Sequence, residues 1–220
     1  MEKLKRYLIF FVGLFINSLG VALITKANLG TSPISSIPYV LSLDFSLTLG
    51  QFTIIFSVFL ILLQIIILRK NFRLEDLLQI PISIFFGYFI DLSMNLLHTI
   101  NPKLYTAKAA CLLIGCLILG FGVYTEVLAN VAMLPGESFV RAIVATWNTD
   151  FGKTKIAFDV TMAVSAAIMS FFFFHELNGI REGTIIAALL VGFIARFFGK
   201  QLAAIENLLF EREKDIIEEL

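Results

Sequence analysis

Long hydrophobic stretches separated by short polar segments form the dominant pattern along this chain. Six of the stretches are long, and they cover about residues 7–25, 52–68, 77–97, 109–128, 156–174 and 184–198. A helix of about 20 residues crosses the roughly 30 Å hydrocarbon core of a bilayer, so each stretch predicts one membrane span. The pattern therefore predicts an all-α membrane protein with six transmembrane helices.

Two further segments, residues 28–43 and 130–147, combine helical apolar patterns with glycine, proline and polar residues. In each segment a helix is predicted after a proline, over about 34–43 and 136–147, because proline suits the first turn of a helix and not its interior. Both helices are too short to cross a bilayer. Broken backbone at membrane depth is tolerated only where it is buried in protein or lines a wet cavity. The two segments therefore predict re-entrant half-helices.

The chain repeats itself with an offset of 102 residues. Six positions align without a gap, and they pair Gly13 with Gly115, Gly20 with Gly122, Pro33 with Pro135, Ser36 with Ser138, Gly50 with Gly152 and Phe56 with Phe158. With an offset of three more residues, Gly87 aligns with Gly192 and Asp91 with Arg196. Each half is therefore one copy of a unit that contains three spans and one half-helix.

The positions of lysine and arginine predict how this unit is threaded through the membrane. With a cytoplasmic N-terminus and a 28–43 segment that enters and leaves on the outer side, thirteen Lys and Arg lie inside and four lie outside. A full span at 28–43 would instead place the Arg69–Arg73 cluster outside. Cytoplasmic loops carry the excess of positive charge, so the first topology is favoured. Three spans per half is an odd number, which makes residues 1–100 and 109–200 an inverted-topology 3+3 repeat with both termini cytoplasmic.

The last segment, residues 201–220, has a different pattern. Apolar residues recur there at helical spacing among six acidic and two basic side chains, which predicts an amphipathic cytoplasmic helix. Its acidity disfavours an anionic lipid surface. The helix is expected to lie on the protein itself, on a second copy in a homodimer or on a cytoplasmic partner.

Composition supports the membrane assignment and excludes several functions. Hydrophobic residues make up 58% of the chain and charged residues 15%, with a mean hydropathy of +0.89, far from a soluble domain. The sequence contains no basic stripe for a nucleic acid and no clustering of metal ligands. Cys111 and Cys116 lie five positions apart in one apolar helix, so they face different sides and predict neither a disulfide nor a metal pair. No metal or cofactor is expected, and the bilayer is the expected environment.

Hydroxyl side chains cluster in the two broken segments. The N-terminus of a half-helix carries a partial positive charge that attracts anions, and the serines add donors at the same places, namely Ser32, Ser35, Ser36 and Ser138. Serine is also a common helix cap. Solute binding and capping alone are therefore both open interpretations.

Ionisable residues within the apolar segments of the second half are the sharper signal, because each costs about 3 kcal/mol or more near the middle of a membrane. Glu137 and Arg141 lie four apart on one half-helix, where they either bind a solute or neutralise each other. Asp159 follows Lys155 by the same spacing. Glu126 lies near the end of its helix and reaches either into the bundle or only to the cytoplasmic surface. Glu126 and Asp159 are the candidates for coupling to an ion.

Asp91 and Arg196 occupy equivalent places in the last span of each half. If both lie close to the pseudo-twofold axis, they form an ion pair that joins the halves and serves as a gate. Otherwise each lies near a membrane face and is solvated.

Four motifs of the first half resemble the YitT/YczE-like family of small bacterial integral membrane proteins. These are Gly20-Val-Ala-Leu, Leu29-Gly-Thr-Ser-Pro, Leu49-Gly-Gln and Phe86-Gly-Tyr-Phe-Ile-Asp-Leu. The resemblance implies a multi-pass protein of the bacterial plasma membrane, in a family whose members are described as candidate transporters. Members often carry an acid two residues after the proline of the first broken segment. Here that place holds Ser35, and Glu137 holds the matching place in the second half.

Together these patterns predict a small-solute transporter or facilitator with a midplane site between the two half-helices, for an anionic or zwitterionic solute. The alternative is a membrane scaffold or accessory subunit that does not transport and that docks a cytoplasmic partner through residues 201–220. An enzyme is disfavoured, because no arrangement of a nucleophile and a base is present.

Overall fold

The computed structural model describes residues 2–202, which fold into helices and connecting segments without a strand. The helices are α1 (Glu2–Lys26), α2 (Ser36–Asp44), α3 (Leu49–Leu68), α4 (Gln79–Leu96), α5 (Tyr105–Ala129), α6 (Pro135–Trp147), α7 (Phe151–Phe174) and α8 (Glu182–Gln201). Short 3-10 turns cover Pro33–Ser35, Arg69–Asn71 and Leu74–Leu78. Beyond Leu202, the amphipathic helix predicted over 201–220 lies outside the described residues.

All helices except α2 and α6 are long and apolar enough to cross a membrane, which confirms the prediction of six such helices. Polar caps explain why some of these long helices begin before their apolar run. Thr48 and Gln51 form a capping box at the start of α3. The side chain of Asp150 accepts a hydrogen bond from the backbone of Lys153 at the start of α7. Each cap satisfies backbone N–H groups that have no partner within the helix.

The short helices α2 and α6 follow breaks that have the same local cause in both halves. Asn28 and Asn130, 102 residues apart, end α1 and α5 in the left-handed conformation, with φ of 53° and 49°. Asparagine tolerates this region better than most residues. Gly30 follows with φ of 119°, which strongly favours glycine. The next helical turns begin at Pro33 and Pro135.

The helices α1 and α5 form the centre of the molecule and run antiparallel, with glycines at their contacts. A methyl group added to Gly20 would lie 2.5 Å from the backbone nitrogen of Leu119, and one added to Gly122 would lie 2.5 Å from that of Asn17. Adding 102 to the number of Gly20 and subtracting 102 from that of Leu119 converts the first contact into the second. The contacts of Gly13 with Glu126 and of Gly115 with Ile24 are related in the same way. The α1–α5 interface thus has the local symmetry of the sequence repeat.

The outer helices pack around this central pair. α4 packs on α1 and α8 packs on α5, whereas α3 packs on α6 and α7 packs on α2. Large apolar side chains on the outer helices are exposed, including Ile66, Phe172 and Leu189. A soluble protein rarely exposes so much contiguous apolar surface, and a bilayer accounts for it.

Candidate functional site

A cavity of about 770 Å³ lies at the end of the bundle where α1 begins and α3 ends, since Tyr7 and Leu68 line it. It is called the Glu137 cavity below. Polar groups from four helices face it, namely Gln64, Gln79, Glu126, Glu137, Ser138 and Arg141. Arg73, Glu75 and Asp76 also line the cavity. Its carboxylates, guanidinium groups and amides can together bind a polar solute at both an amino and a carboxylate group.

Glu126 lies deep in the bundle. Its backbone nitrogen contacts Gly13, which is at the middle of α1, and its side chain is only 6% exposed. Asn17 donates a hydrogen bond of 2.8 Å from its side-chain amide to Glu126 Oε1. The end of α5 is therefore inside the bundle, and of the two interpretations left open by the sequence, the structure favours a Glu126 that reaches inward.

Glu137 lies in the first turn of α6, where the helix dipole stabilises a carboxylate. Its side chain is partly buried and faces the cavity, and Arg141 one turn later is exposed. The described residues include no ion pair between them, so mutual neutralisation by direct contact is not what the structure shows.

Gln64 and Gln79 position the start of α6. Gln64 donates a hydrogen bond of 3.1 Å to the backbone carbonyl of Pro135, and the two glutamine amides also bond to each other. Both side chains are almost fully buried and line the cavity. Neither glutamine is among the site residues expected from the sequence. The signal that marks them is a glutamine isolated in a long apolar run, as Gln64 is within α3.

The serines of the first broken segment lie elsewhere. Ser32 donates to the Ser35 hydroxyl at 2.8 Å, and Ser36 donates to the Ser32 carbonyl at 3.0 Å. All three are buried, and none lines the Glu137 cavity. Neither Ser32 nor Ser35 makes a side-chain cap. The predicted single set of Ser32, Ser35, Ser36, Glu137, Ser138 and Arg141 is therefore corrected, because only the last three share a cavity.

The two broken segments meet through an apolar contact. A methyl group added to Gly136 would collide with the Ile34 side chain. Leu60, Val140 and Phe158 form a buried cluster against which Ile34 packs. The two segments thus meet through apolar side chains, and the polar cavity lies to one side of this contact.

Asp159 is held on its own helix. Lys155 Nζ donates to Asp159 Oδ1 at 2.7 Å, four residues away, and lies 5.5 Å from the centre of the Phe158 ring. Asp159 does not line the Glu137 cavity. The ion pair with Lys155 therefore explains why an acidic side chain is present in this apolar helix.

Asp91 and Arg196 are not brought together. The Asp91 carboxylate accepts hydrogen bonds from Thr48 Oγ1 at 2.6 Å and from the Gly50 backbone nitrogen at 2.8 Å. Arg196 is exposed on α8 and forms no ion pair within residues 2–202. Asp91 caps the start of α3 instead of joining the halves, so the predicted gate pair is corrected for this structure.

A second cavity of about 670 Å³ surrounds Asp91, and it is called the Asp91 cavity below. Lys26 and Thr48 line it, so it opens at the end of the bundle where α1 ends and α3 begins. Tyr39 and Ser42 of α2 also face it. The two cavities therefore lie at opposite ends of the bundle.

No group of three or more His, Cys, Asp or Glu side chains with the geometry of a metal site occurs in the part of the chain that the structure describes. The cysteines Cys111 and Cys116 are both free.

Comparison with known proteins assigns the chain to a family. Residues 4–200 match the family of unknown function DUF6198. The chain belongs to this family. It is 28% identical to the uncharacterized membrane protein YczE of Bacillus subtilis strain 168, over 89% of this chain and 86% of YczE. It is also 28% identical to the uncharacterized protein YyaS of the same strain, over 88% of this chain and 92% of YyaS.

These matches confirm the resemblance to YczE-like proteins and, together with the six apolar helices, make this DUF6198 protein a multi-pass membrane protein. No solved structure matches the chain.

Proposed function

We propose that the protein is a small-solute transporter or facilitator of the bacterial plasma membrane, and that the Glu137 cavity holds its solute. The arrangement of two polar cavities at opposite ends of the bundle, with the Ile34–Gly136 contact between the half-helices, carries the proposal. A carrier needs a site that is accessible from one side and sealed from the other. Binding and transport are proposed here, and no catalytic step is involved.

The α1–α5 contacts support an inverted 3+3 repeat. The contacts of Gly20 with Leu119 and of Gly122 with Asn17 are equivalent under the 102-residue offset, and the two helices are antiparallel. Two antiparallel copies of one helix that touch through equivalent residues are related by a twofold axis in the membrane plane, as in inverted-repeat transporters.

The register of α1 and α5 also supports re-entrant half-helices. Glu126 lies beside the middle of α1, and the break at Asn130 follows four residues later, about 6 Å along a helix. The break at Asn28 has the equivalent relation to the middle of α5. Both breaks are therefore well within the thickness that a spanning helix covers, where irregular backbone normally serves a cavity.

The distribution of positive charge orients the molecule. Arg73 and Arg141 line the Glu137 cavity, and the Arg69–Arg73 turn lies at the same end. The excess of Lys and Arg belongs to the cytoplasmic side. The Glu137 cavity then opens to the cytoplasm, the Asp91 cavity opens to the outside, and both termini are cytoplasmic.

The residues that line the cavity favour a narrower class of solute than the anionic or zwitterionic solutes expected from the sequence. A simple anion was favoured partly by Ser32, Ser35 and Ser36, whose hydroxyls bond within their own segment. The cavity instead presents several carboxylates, including Glu126 and Glu137, together with the guanidinium groups of Arg73 and Arg141. A small zwitterion, with an ammonium group near Glu126 or Glu137 and a carboxylate near Arg141, matches these charges.

Glu126 and Glu137 are the favoured coupling residues. Both face the cavity, so their carboxylates share one polar environment. Asp159 is engaged by Lys155 at 2.7 Å and is a weaker candidate. A cation or proton shared between the two glutamates would compete with, or accompany, the ammonium group of the solute.

A ligand-dependent thermal unfolding screen on the purified protein tests the proposal. Zwitterionic, anionic and cationic small solutes are compared, and a zwitterion is expected to raise the Tm of the wild type but not that of Glu137→Gln. Glu182→Gln is the matched control, because Glu182 is exposed beside Arg181 and does not line the cavity. A shift that survives Glu137→Gln unchanged would remove the Glu137 cavity from the proposal.

A further inference from the structure

The two halves differ at the pairing of their last two helices. In the first half, α3 and α4 pack closely through glycine, because an added methyl at Gly87 would lie 2.6 Å from the backbone oxygen of Gly50. Asp91 completes the contact by accepting hydrogen bonds from Thr48 and from the Gly50 backbone. This contact lies at the rim of the Asp91 cavity.

The second half carries the equivalent residues without the contact. Asp150 and Gly152 of α7 correspond to Thr48 and Gly50, while Gly192 and Arg196 of α8 correspond to Gly87 and Asp91. Yet an added methyl at Gly192 would have no atom of residues 2–202 within 4 Å. Arg196 is exposed, and α7 and α8 are not among the helix pairs in extensive contact.

The orientation of α8 nevertheless suits such a contact. The Phe15 and Phe89 rings meet edge to face where α4 packs on α1. The residue equivalent to Phe89, Ile194, faces Gly120 where α8 packs on α5. Gly87 and Gly192 each lie two residues before this anchor, so they present the same side of their helices. The position of α8 along α5 also differs from that of α4 along α1. The shift is about three residues, which is close to one helical turn.

We propose that the protein has a second conformation in which α7 and α8 close on each other, with Gly152 against Gly192 and an ion pair between Asp150 and Arg196. This inference rests on the inverted repeat of the proposed function, because it assigns to the second half the contact seen in the first. The available groups are complementary. One Asp150 oxygen caps α7 through the Lys153 nitrogen at 2.9 Å, which leaves the other for the Arg196 guanidinium.

The closure has a direct consequence for access. Asp150 follows the last turn of α6, whose residues Ala145 and Thr146 line the Glu137 cavity. Closing α7 on α8 therefore changes the packing at the end of the bundle where this cavity opens. The α3–α4 contact lies at the opposite end. A one-turn slide of one element past another is a known form of two-state switching.

Disulfide formation in membranes tests the closure without any solute. In a background with Cys111→Ser and Cys116→Ala, the pair Gly152→Cys with Gly192→Cys is oxidised and the remaining free thiols are counted with a polymer-linked maleimide. A disulfide needs Cα atoms within about 7 Å. The control pair is Val160→Cys with Gly192→Cys, because Val160 lies eight residues, about 12 Å, further along α7.

The proposal expects a disulfide within one chain for the first pair and none for the control pair. Adding Arg196→Gln to the first pair should lower the yield several-fold, and the exchange Asp150→Arg with Arg196→Asp should restore it. Equal yields in both pairs, or disulfides only between chains at dimer mass, would overturn the closure. A yield unaffected by Arg196→Gln would overturn the ion pair. The failure of every solute to bind would count against the transporter and leave this result in place.

Discussion

Ile34 packs directly on Gly136, the residue that holds the same place 102 positions later in the chain. Equivalent residues of two copies can touch each other only close to the axis that relates the copies. One of them is large and the other has no side chain, so the contact fills its space without a clash. Under the proposed inverted repeat, this apolar contact lies at the centre of the molecule, and a polar cavity lies at each end of the bundle.

This contact predicts the location of the permeability barrier. Ile34→Ala should open a path between the cavities, because it removes the atoms that cover Gly136. In the single variant Ser138→Cys, an impermeant thiol reagent added outside cells should not react at residue 138. With Ile34→Ala added, labelling from outside should appear. Ile66→Ala, which truncates a side chain exposed on α3, is the control and should leave labelling unchanged. Equal labelling with Ile34 and with Ile34→Ala would show that the permeability barrier lies elsewhere.

The glycines of the α1–α5 interface are predicted to be essential for stability. Gly20→Ala forces a methyl against the backbone of Leu119, and backbone cannot move aside as a flexible side chain can. Overpacking of this kind costs about 1–3 kcal/mol. Thermal unfolding in detergent should show a clearly lower Tm for Gly20→Ala.

Gly192→Ala is the matched control, since among the described residues no atom lies within 4 Å of a methyl group added at Gly192. Alanine is a better helix former by up to about 1 kcal/mol, so the Tm should stay the same or rise. A lower Tm for Gly192→Ala than for Gly20→Ala would contradict the observed packing.

The apolar pattern and the two prolines were enough to predict the six long helices and the short helices after the breaks. Each of these features depends on neighbours in the sequence, as when Asn130 ends α5 and Pro135 begins α6. The hydroxyl bonds of Ser32 and Ser36 are equally local, because Ser32 donates to the Ser35 hydroxyl and Ser36 to the Ser32 carbonyl.

The arrangement of the site could not be predicted because it depends on how distant helices align. Glu126 lies at depth because glycine contacts set the register of α5 on α1, and its partner Asn17 is 109 residues away. Gln64 reaches the Pro135 carbonyl across 71 residues. The separation of Asp91 from Arg196 likewise follows from the packing of outer helices, which the hydrophobic pattern leaves open.

The hydrogen bond between Asn17 and Glu126 predicts a specific double-mutant cycle. Asn17→Leu removes the donor and should lower the free energy of unfolding by about 1–3 kcal/mol. Leucine is the residue at the equivalent position of the second copy, Leu119. Adding Glu126→Ile, the residue of the first copy at Ile24, should recover most of this loss because no buried polar group is left unpaired. Chemical denaturation of the three variants measures the coupling energy. Additive losses in the double variant would show that the two side chains do not stabilise each other.

The charge distribution predicts the threading of the loops. A single cysteine at Asn101, beside the Asp91 cavity, should react with an impermeant thiol reagent in intact cells. One at Asn71, beside the Glu137 cavity, should react only after permeabilisation. Both positions are exposed, so accessibility within the protein does not differ and each serves as the control for the other. The reverse result would invert the orientation, and labelling of both from outside would exclude the inverted repeat.

The last prediction concerns Glu137, which faces the cavity from the first turn of α6 and has no ion pair with Arg141 among the described residues. If its carboxylate serves only to cap α6, Glu137→Gln should keep gradient-driven transport, because an amide oxygen still accepts a backbone hydrogen bond. If it binds a coupling proton or cation, the same change should abolish accumulation against a gradient while exchange without a gradient persists. We expect the second outcome, because the carboxylate shares the cavity with Glu126. Solute flux into liposomes, with and without an ion gradient, compares wild type, Glu137→Gln and the exposed control Glu182→Gln. Gradient-driven flux that is equal in all three would return Glu137 to a capping role and leave Glu126 as the coupling candidate.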